Sequence, residues 1–263
     1  MKSRMLLAAC LIAMFCNPAK SPAADPEPRK WRIDEVEREA LIAAPDSAST
    51  KAAPLVFVFH GHGGTMRNAA RSFRIHDEWP DAIVVYMQGL KTPGQITDPQ
   101  GLRSGWQMGP GDQGDRDLKF FDQVLESMKK EFKVDDKRIY STGHSNGGSF
   151  TYILWNERPN IFAAFAPSGA AALKLRGTLK PKPMLHMAGE NDPLVKYAWQ
   201  KMMIESVKQM NKCGEGKPWE KSCTEFPSTI DSPVATFITA GGHEFPKEAP
   251  ALIVKFFKQH PIR

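Results

Sequence analysis

The sequence predicts an α/β domain, a mainly parallel sheet with helices on both faces. Continuous apolar runs such as Leu55-Val56-Phe57-Val58-Phe59 read as strands buried on both sides, and they alternate with amphipathic helical stretches. Gly143-His144-Ser145-Asn146-Gly147 lies between an apolar run and a helical pattern, the setting of a strand, a sharp turn and a helix. A chain of 263 residues suits one such domain with a sizeable core, and 41% hydrophobic and 24% charged residues are globular values.

In chain order, residues 1–23 read as an export signal. Lys2 and Arg4 precede the apolar run of residues 5–15, and Ser21-Pro22-Ala23 offers small residues for cleavage. That run is too short to span a membrane, so no stable membrane association is expected. Leu7-Ala8-Ala9-Cys10 also resembles a lipid-attachment site, but the apolar run continues past it. Residues 24–30 read as a flexible lead-in, and residues 31–263 as a single catalytic domain. Strands are expected at 37–44 (an edge strand), 55–59, 82–87, 138–142, 162–166, 184–188 and 236–239. Helices are expected at 118–132, 149–157, 196–210 and 249–259.

Loss of Lys2, Arg4 and Lys20 with the signal takes the formal charge from +6 to +3, which removes the main support for a nucleic-acid partner. Cys10 and Cys16 would leave with the signal. Cys213 and Cys223 remain, and in an oxidising compartment they are expected to close a small loop as a disulfide.

Glycines flanking Ser145 permit a turn tight enough to lift its hydroxyl to the top of the sheet, in front of a helix N-terminus. Acyl transfer through a serine needs a base, an acid that orients it, and oxyanion donors. Asp192, in the turn after the 184–188 run, is the expected acid, with Glu190 and Asp231 as competitors; the plain alternative for Asp192 is an Asx turn before Pro193. His243, in Gly241-Gly242-His243 after the last strand, is the expected base. Among the other histidines, His144 fills the variable position of the turn and His60 is expected to order the neighbouring loop.

That loop, His60-Gly61-His62-Gly63-Gly64, follows a buried strand and can turn backbone N–H groups toward an oxyanion. The expected donors are the N–H groups at His62 and at Asn146. A phosphate-cradling reading fails on glycine spacing and the missing lysine, and His60 and His62 lack further metal ligands nearby. No metal or cofactor is expected. Trp106 lies in a Pro/Gly-rich stretch, residues 91–114, and reads either as an aromatic wall of the substrate site or as a pin holding that stretch to the body.

Beyond these readings, the chain resembles the polyhydroxybutyrate-depolymerase-like esterases of the α/β-hydrolase fold, related to feruloyl and acetyl-xylan esterases of carbohydrate esterase family one. The matching blocks are Val58 through Gly64, Gly105-Trp106, Asp136 through Gly148, Phe162 through Pro167, Leu185 through Pro193, and Gly241-Gly242-His243-Glu244-Phe245-Pro246. The resemblance implies Ser145, Asp192 and His243 as a triad. The family more often has Trp at the place of Phe245, and residues 109–114 have no clear counterpart; both fall where substrate contacts by Trp106 and Phe245 are expected.

The expectation is therefore a secreted or periplasmic serine carboxylesterase acting on small or oligomeric esters, feruloyl, acetyl or hydroxyalkanoate, through an acyl-enzyme. The alternatives are an acyltransferase to a sugar or lipid hydroxyl and a catalytically silent binding protein. Residues 168–183 are too short and polar for a large lid, so an open cleft walled by residues 91–114 is expected.

Overall fold

The structure is a computed structural model that describes residues 24–94 and 97–263. The expected export segment, residues 1–23, lies outside the described residues.

The strands are β1 (Glu27–Ile33), β2 (Val36–Ala43), β3 (Ala53–Phe59), β4 (Ile83–Met87), β5 (Leu90–Lys91), β6 (Ser104–Gly105), β7 (Val134–His144), β8 (Ala164–Ser168), β9 (Met184–Gly189), β10 (Lys217–Pro218), β11 (Cys223–Phe226) and β12 (Val234–Thr239). The helices are α1 (Met66–Phe73), α2 (Ile75–Glu78), α3 (Arg116–Glu131), α4 (Asn146–Glu157), α5 (Tyr197–Met210) and α6 (Ala249–Gln259). Ten strands form one sheet in the order β1-β2-β4-β3-β7-β8-β9-β12-β11-β10, while β5 and β6 pair separately.

The six central strands, from β4 to β12, run parallel. The antiparallel pairs β1–β2 and β11–β10 extend the two sides. Alternate residues of the central strands feed two core layers. Phe57, Phe59 and Val85 pack with Phe121 and Val124 of α3, Phe150 of α4 and Ile204 of α5. Val56, Val58 and Tyr86 pack with Phe73 of α1 and Phe256 and Phe257 of α6. Both faces are covered, which is why these strands read as unbroken apolar runs.

Three expectations are corrected. Residues 27–30, expected in a flexible lead-in, belong to β1, because Trp31 rests edge-on against Phe120 of α3 and Arg29 bonds Glu131. The expected edge strand at 37–44 is β2, and it is internal because β1 covers its outer side. Cys213 and Cys223 are both free thiols. The hairpin β10–β11 turns the chain between them, so Cys213 packs with one core layer and Cys223 is buried in the other, on opposite faces of the sheet.

Because the central strands are parallel, β3, β7, β8, β9 and β12 all deliver their C-terminal ends to one edge. The segments that follow, from His60, Ser145, Gly169, Glu190 and Ala240, gather there. Ligand sites of open α/β sheets form at this edge.

Candidate active site

Ser145 stands between the end of β7 and the start of α4 with φ 56° and ψ −121°, a backbone conformation that costs free energy for a residue with a side chain. The flanking glycines explain how the turn closes. A Cβ at Gly143 would lie 2.4 Å from the Gly147 carbonyl oxygen, and one at Gly147 would lie 2.3 Å from that of Phe59. The Ser145 N–H is fixed by the Ser168 carbonyl at 2.8 Å.

His243 brings its imidazole to this serine. Ser145 Oγ–H donates to His243 Nε2 at 2.8 Å, and Nδ1–H donates to Asp192 Oδ2 at 2.7 Å. A carboxylate only accepts, which sets the tautomer: the proton sits on Nδ1 and the lone pair of Nε2 faces the hydroxyl. Asp192 Oδ1 accepts the N–H groups of Leu194 and Val195 at 2.8 and 2.9 Å, and Gln200 Nε2 donates to Oδ2 at 3.1 Å. The competitors do not reach the imidazole. Glu190 is exposed, and Asp231 is exposed and paired with Arg263.

The Gln200 contact extends into a buried chain that sequence reading missed. His186 Nε2–H donates to Gln200 Oε1 at 3.2 Å, and Tyr152 O–H donates to His186 Nδ1 at 2.9 Å. Burial pushes the His186 imidazole down to about 4, so it stays neutral and keeps this single donor direction.

The loop after β3 is ordered as expected by His60. Its Nδ1–H donates to the Gly61 carbonyl at 2.8 Å, its Nε2 accepts the Gly89 N–H at 3.0 Å, and burial pushes it down to about 4. His62 lines the cavity beside Ser145, and its Nε2–H donates to the buried Asp98 Oδ2 at 2.9 Å. That bond, with the N–H groups of Arg103 and Leu102, holds the Asp98 carboxyl down to about 2. The pair ties the loop after β3 to the 91–114 stretch. Asn146 opens α4, whose first N–H groups have no carbonyl one turn back. Its side chain grips the same stretch, with Oδ1 accepting the Trp106 N–H at 2.7 Å and Nδ2 donating to the Trp106 carbonyl at 3.1 Å.

Neither expected aromatic contact, Trp106 or Phe245, lines the cavity beside Ser145. Trp106 has 0% exposure, stacks on Phe150, meets Phe59 edge-on and donates its indole N–H to the His60 carbonyl at 2.9 Å. It is the pin of the long stretch, because a hydrophobic slot between β3 and α4 takes the whole ring. Phe245 lies on Phe73 and against the edge of His144, outside the cavity lining.

Ser145 and His243 open into a cavity of about 460 Å³. One wall is Gly94, Thr97, Met108, Gly109 and Pro110, from the stretch expected to form it. The other comprises Leu173 and Leu175 on a single 3-10 turn with Leu194 and Val195 ahead of α5 and Trp199 in its first turn. Residues 171–175, within the 168–183 interval, thus line the cavity, a role their composition did not signal. Among the described residues no three His, Cys, Asp or Glu side chains cluster as metal ligands, and no helix is long and apolar enough to cross a membrane.

Known proteins agree with this architecture. The prolyl oligopeptidase family model matches residues 104–178, which include the Ser145 turn. The bifunctional acetylxylan esterase/xylanase of Neocallimastix patriciarum is 33% identical over 130 residues, 49% of this chain and 19% of that much longer protein. Feruloyl esterase C of Emericella nidulans is 27% identical over 237 residues, 86% of this chain and 84% of its own. Among solved structures, a ferulic acid esterase superposes with TM-score 0.60 at 15% identity, covering 88% of this chain and 96% of its own. A Bacillus cereus carboxylesterase gives 0.59 at 18%, covering 84% and 94%. The polyhydroxybutyrate-depolymerase side of the resemblance rests on the sequence blocks alone.

The chain is an α/β-hydrolase. The curated proteins it is similar to at 24–33% identity are named as feruloyl and acetylxylan esterases.

Proposed function

We propose that the chain is a secreted serine carboxylesterase that removes feruloyl or acetyl groups from carbohydrate hydroxyls. The observation that carries this reading is the line from Ser145 Oγ through His243 to Asp192, with contacts of 2.8 and 2.7 Å, at the floor of a largely apolar cavity. His243 Nε2 takes the Ser145 proton as Oγ attacks the ester carbonyl, and Asp192 supports the imidazolium that forms. The backbone N–H groups of His62 and Asn146 receive the oxyanion, with the positive end of α4 behind them. His243 returns the proton to the leaving alcohol, and water then releases the acid from Ser145 by the same steps in reverse order.

The proton return assigns the two walls. The leaving oxygen must come within hydrogen-bond reach of His243 Nε2. Leu194 and Val195 are tied to Asp192 through their N–H groups, so the wall they share with Trp199 borders His243. The alcohol part lies on that side, where Trp199, 38% exposed, offers a flat aromatic face to a sugar ring. The acyl group takes the opposite wall at Met108, Gly109 and Pro110. Carbohydrate as the alcohol is further supported by the acetylxylan and feruloyl esterases among the relatives. Secretion rests on the charged and then apolar start of the sequence.

A panel of p-nitrophenyl acetate, methyl ferulate, acetylated xylo-oligosaccharide, feruloylated arabinoside and hydroxybutyrate dimer tests the reading. Release of acid from the sugar esters at the highest kcat/KM is expected. Turnover only when an alcohol acceptor is supplied, or preference for the hydroxybutyrate dimer, would overturn it.

A further inference from the structure

His144 occupies the position in the Ser145 turn that the motif leaves open, yet its imidazole is committed on both sides. Nε2–H donates to the backbone carbonyl of His243 at 2.8 Å, the only role open to a nitrogen facing a carbonyl oxygen. Nδ1 therefore accepts from Ser168 Oγ–H at 3.2 Å, at the end of β8. The two histidine rings lie 5.0 Å apart, and Phe245 closes on His144 edge-on. Burial, together with the neighbouring His243, pushes His144 down to about 4, consistent with a neutral ring that keeps this donor direction.

The loop that carries His243 is tied before this point by Asn191, which bonds the carbonyls of Ala240 and Gly241, and by Glu244, which accepts the Gly242 N–H. After it, the Ala249 N–H reaches the Pro246 carbonyl. The peptide of His243 itself is held by His144, the residue next to the nucleophile in sequence. A single turn thus carries the serine and also sets the height of the base above it.

We infer that His144 is a positioning residue for the reaction: its Nε2–H bond to the His243 carbonyl fixes the distance between His243 Nε2 and Ser145 Oγ. This inference rests on the esterase reading above, since it concerns the proton transfer between those two atoms. Misplacing a reacting group by about 1 Å costs on the order of 100-fold in rate. A loss confined to the chemical step is therefore the expected signature.

The experiment compares three variants with the wild type on p-nitrophenyl acetate. In His144→Gln, the longer side chain can still bring an amide N–H to the His243 carbonyl. In His144→Asn, the shorter amide reaches only the Nδ1 side, toward Ser168. His144→Ala removes both contacts. The inference expects kcat reduced by about 10- to 100-fold in the Asn and Ala variants, with KM within about 3-fold of wild type, and most of kcat restored in the Gln variant. Thermal midpoints are recorded alongside. If the Ala variant does not fold, the Gln and Asn pair decides. Equal kcat in the Gln and Asn variants, or a loss expressed in KM instead of kcat, would overturn the positioning role. An inactive wild type would instead strike at the esterase reading itself.

Discussion

Gln200 Nε2 donates to the same oxygen of Asp192 that receives the His243 Nδ1–H, at 3.1 and 2.7 Å. The amide is itself fixed, because Nε2 also donates to the Val195 carbonyl at 2.7 Å and Oε1 accepts from His186. Gln200 thus sets the rotation of the acid, and through it the tilt of the base.

Replacing Gln200 with Leu should leave His186 without its acceptor and Asp192 without one donor. A kcat about 10-fold lower and a destabilisation of about 1–3 kcal/mol are expected, the latter from one unpaired buried group. Asp192→Asn should be far more severe, on the order of 10⁴-fold in kcat, by favouring the wrong imidazole tautomer. Steady-state kinetics with urea unfolding checks both; a Gln200→Leu enzyme with wild-type kcat would remove the residue from the account.

Trp199→Ala should raise KM about 10-fold for sugar esters and leave methyl ferulate nearly unchanged, because the proposal sets the ring against the alcohol part alone. An equal effect on both substrates would return Trp199 to the common binding surface.

Trp106→Ala should act on stability first. Emptying a fully buried tryptophan site costs about 3–5 kcal/mol, and the N–H bond to the His60 carbonyl goes with it. The 91–114 stretch should then become protease-sensitive. A mutant with a native unfolding midpoint and higher KM would restore the ring to a substrate role.

Acid stability follows from three neutral histidines, His60 and His186 buried and His144 half-buried. His60, His144 and His186 are each lowered from 6.5 to about 4 in the fold. Between those pH values the unfolded chain binds protons that the folded chain does not, so stability falls as pH drops from 6.5 to 4 and this loss levels off below. Asp98, held down to about 2 from 3.8, adds its own loss only at lower pH. Tm recorded at half-unit steps from pH 7 to 4 should decline across that window; a flat profile would contradict the neutral assignments.

What the sequence disclosed was local. Runs such as Leu55 to Phe59 announce strands covered on both faces, and Gly143 and Gly147 announce a turn that excludes side chains. His243 and Asp192 were legible because each follows a strand in the order the fold requires. What stayed hidden depends on distant packing. Trp106 stayed open between wall and pin, since the slot that decides it is made by Phe59 and Phe150. The partnerships of Gln200 with Asp192, Asp98 with His62 and Asn146 with Trp106 join separate loops and elements and leave no periodic trace. Cys213 and Cys223 suggested a disulfide as the pair left in an exported chain, but the hairpin between them sends the two thiols to opposite faces of the sheet.

The most direct measurement is the site of covalent capture. The enzyme is treated with a p-nitrophenyl ester, acid-quenched within the first turnover, digested and mapped by mass spectrometry. The account predicts one acyl group, on Ser145, absent in Ser145→Ala and strongly reduced in His243→Ala, with Ser145→Ala otherwise folded as the wild type. Acylation of another residue, or sustained ester turnover by Ser145→Ala, would contradict it.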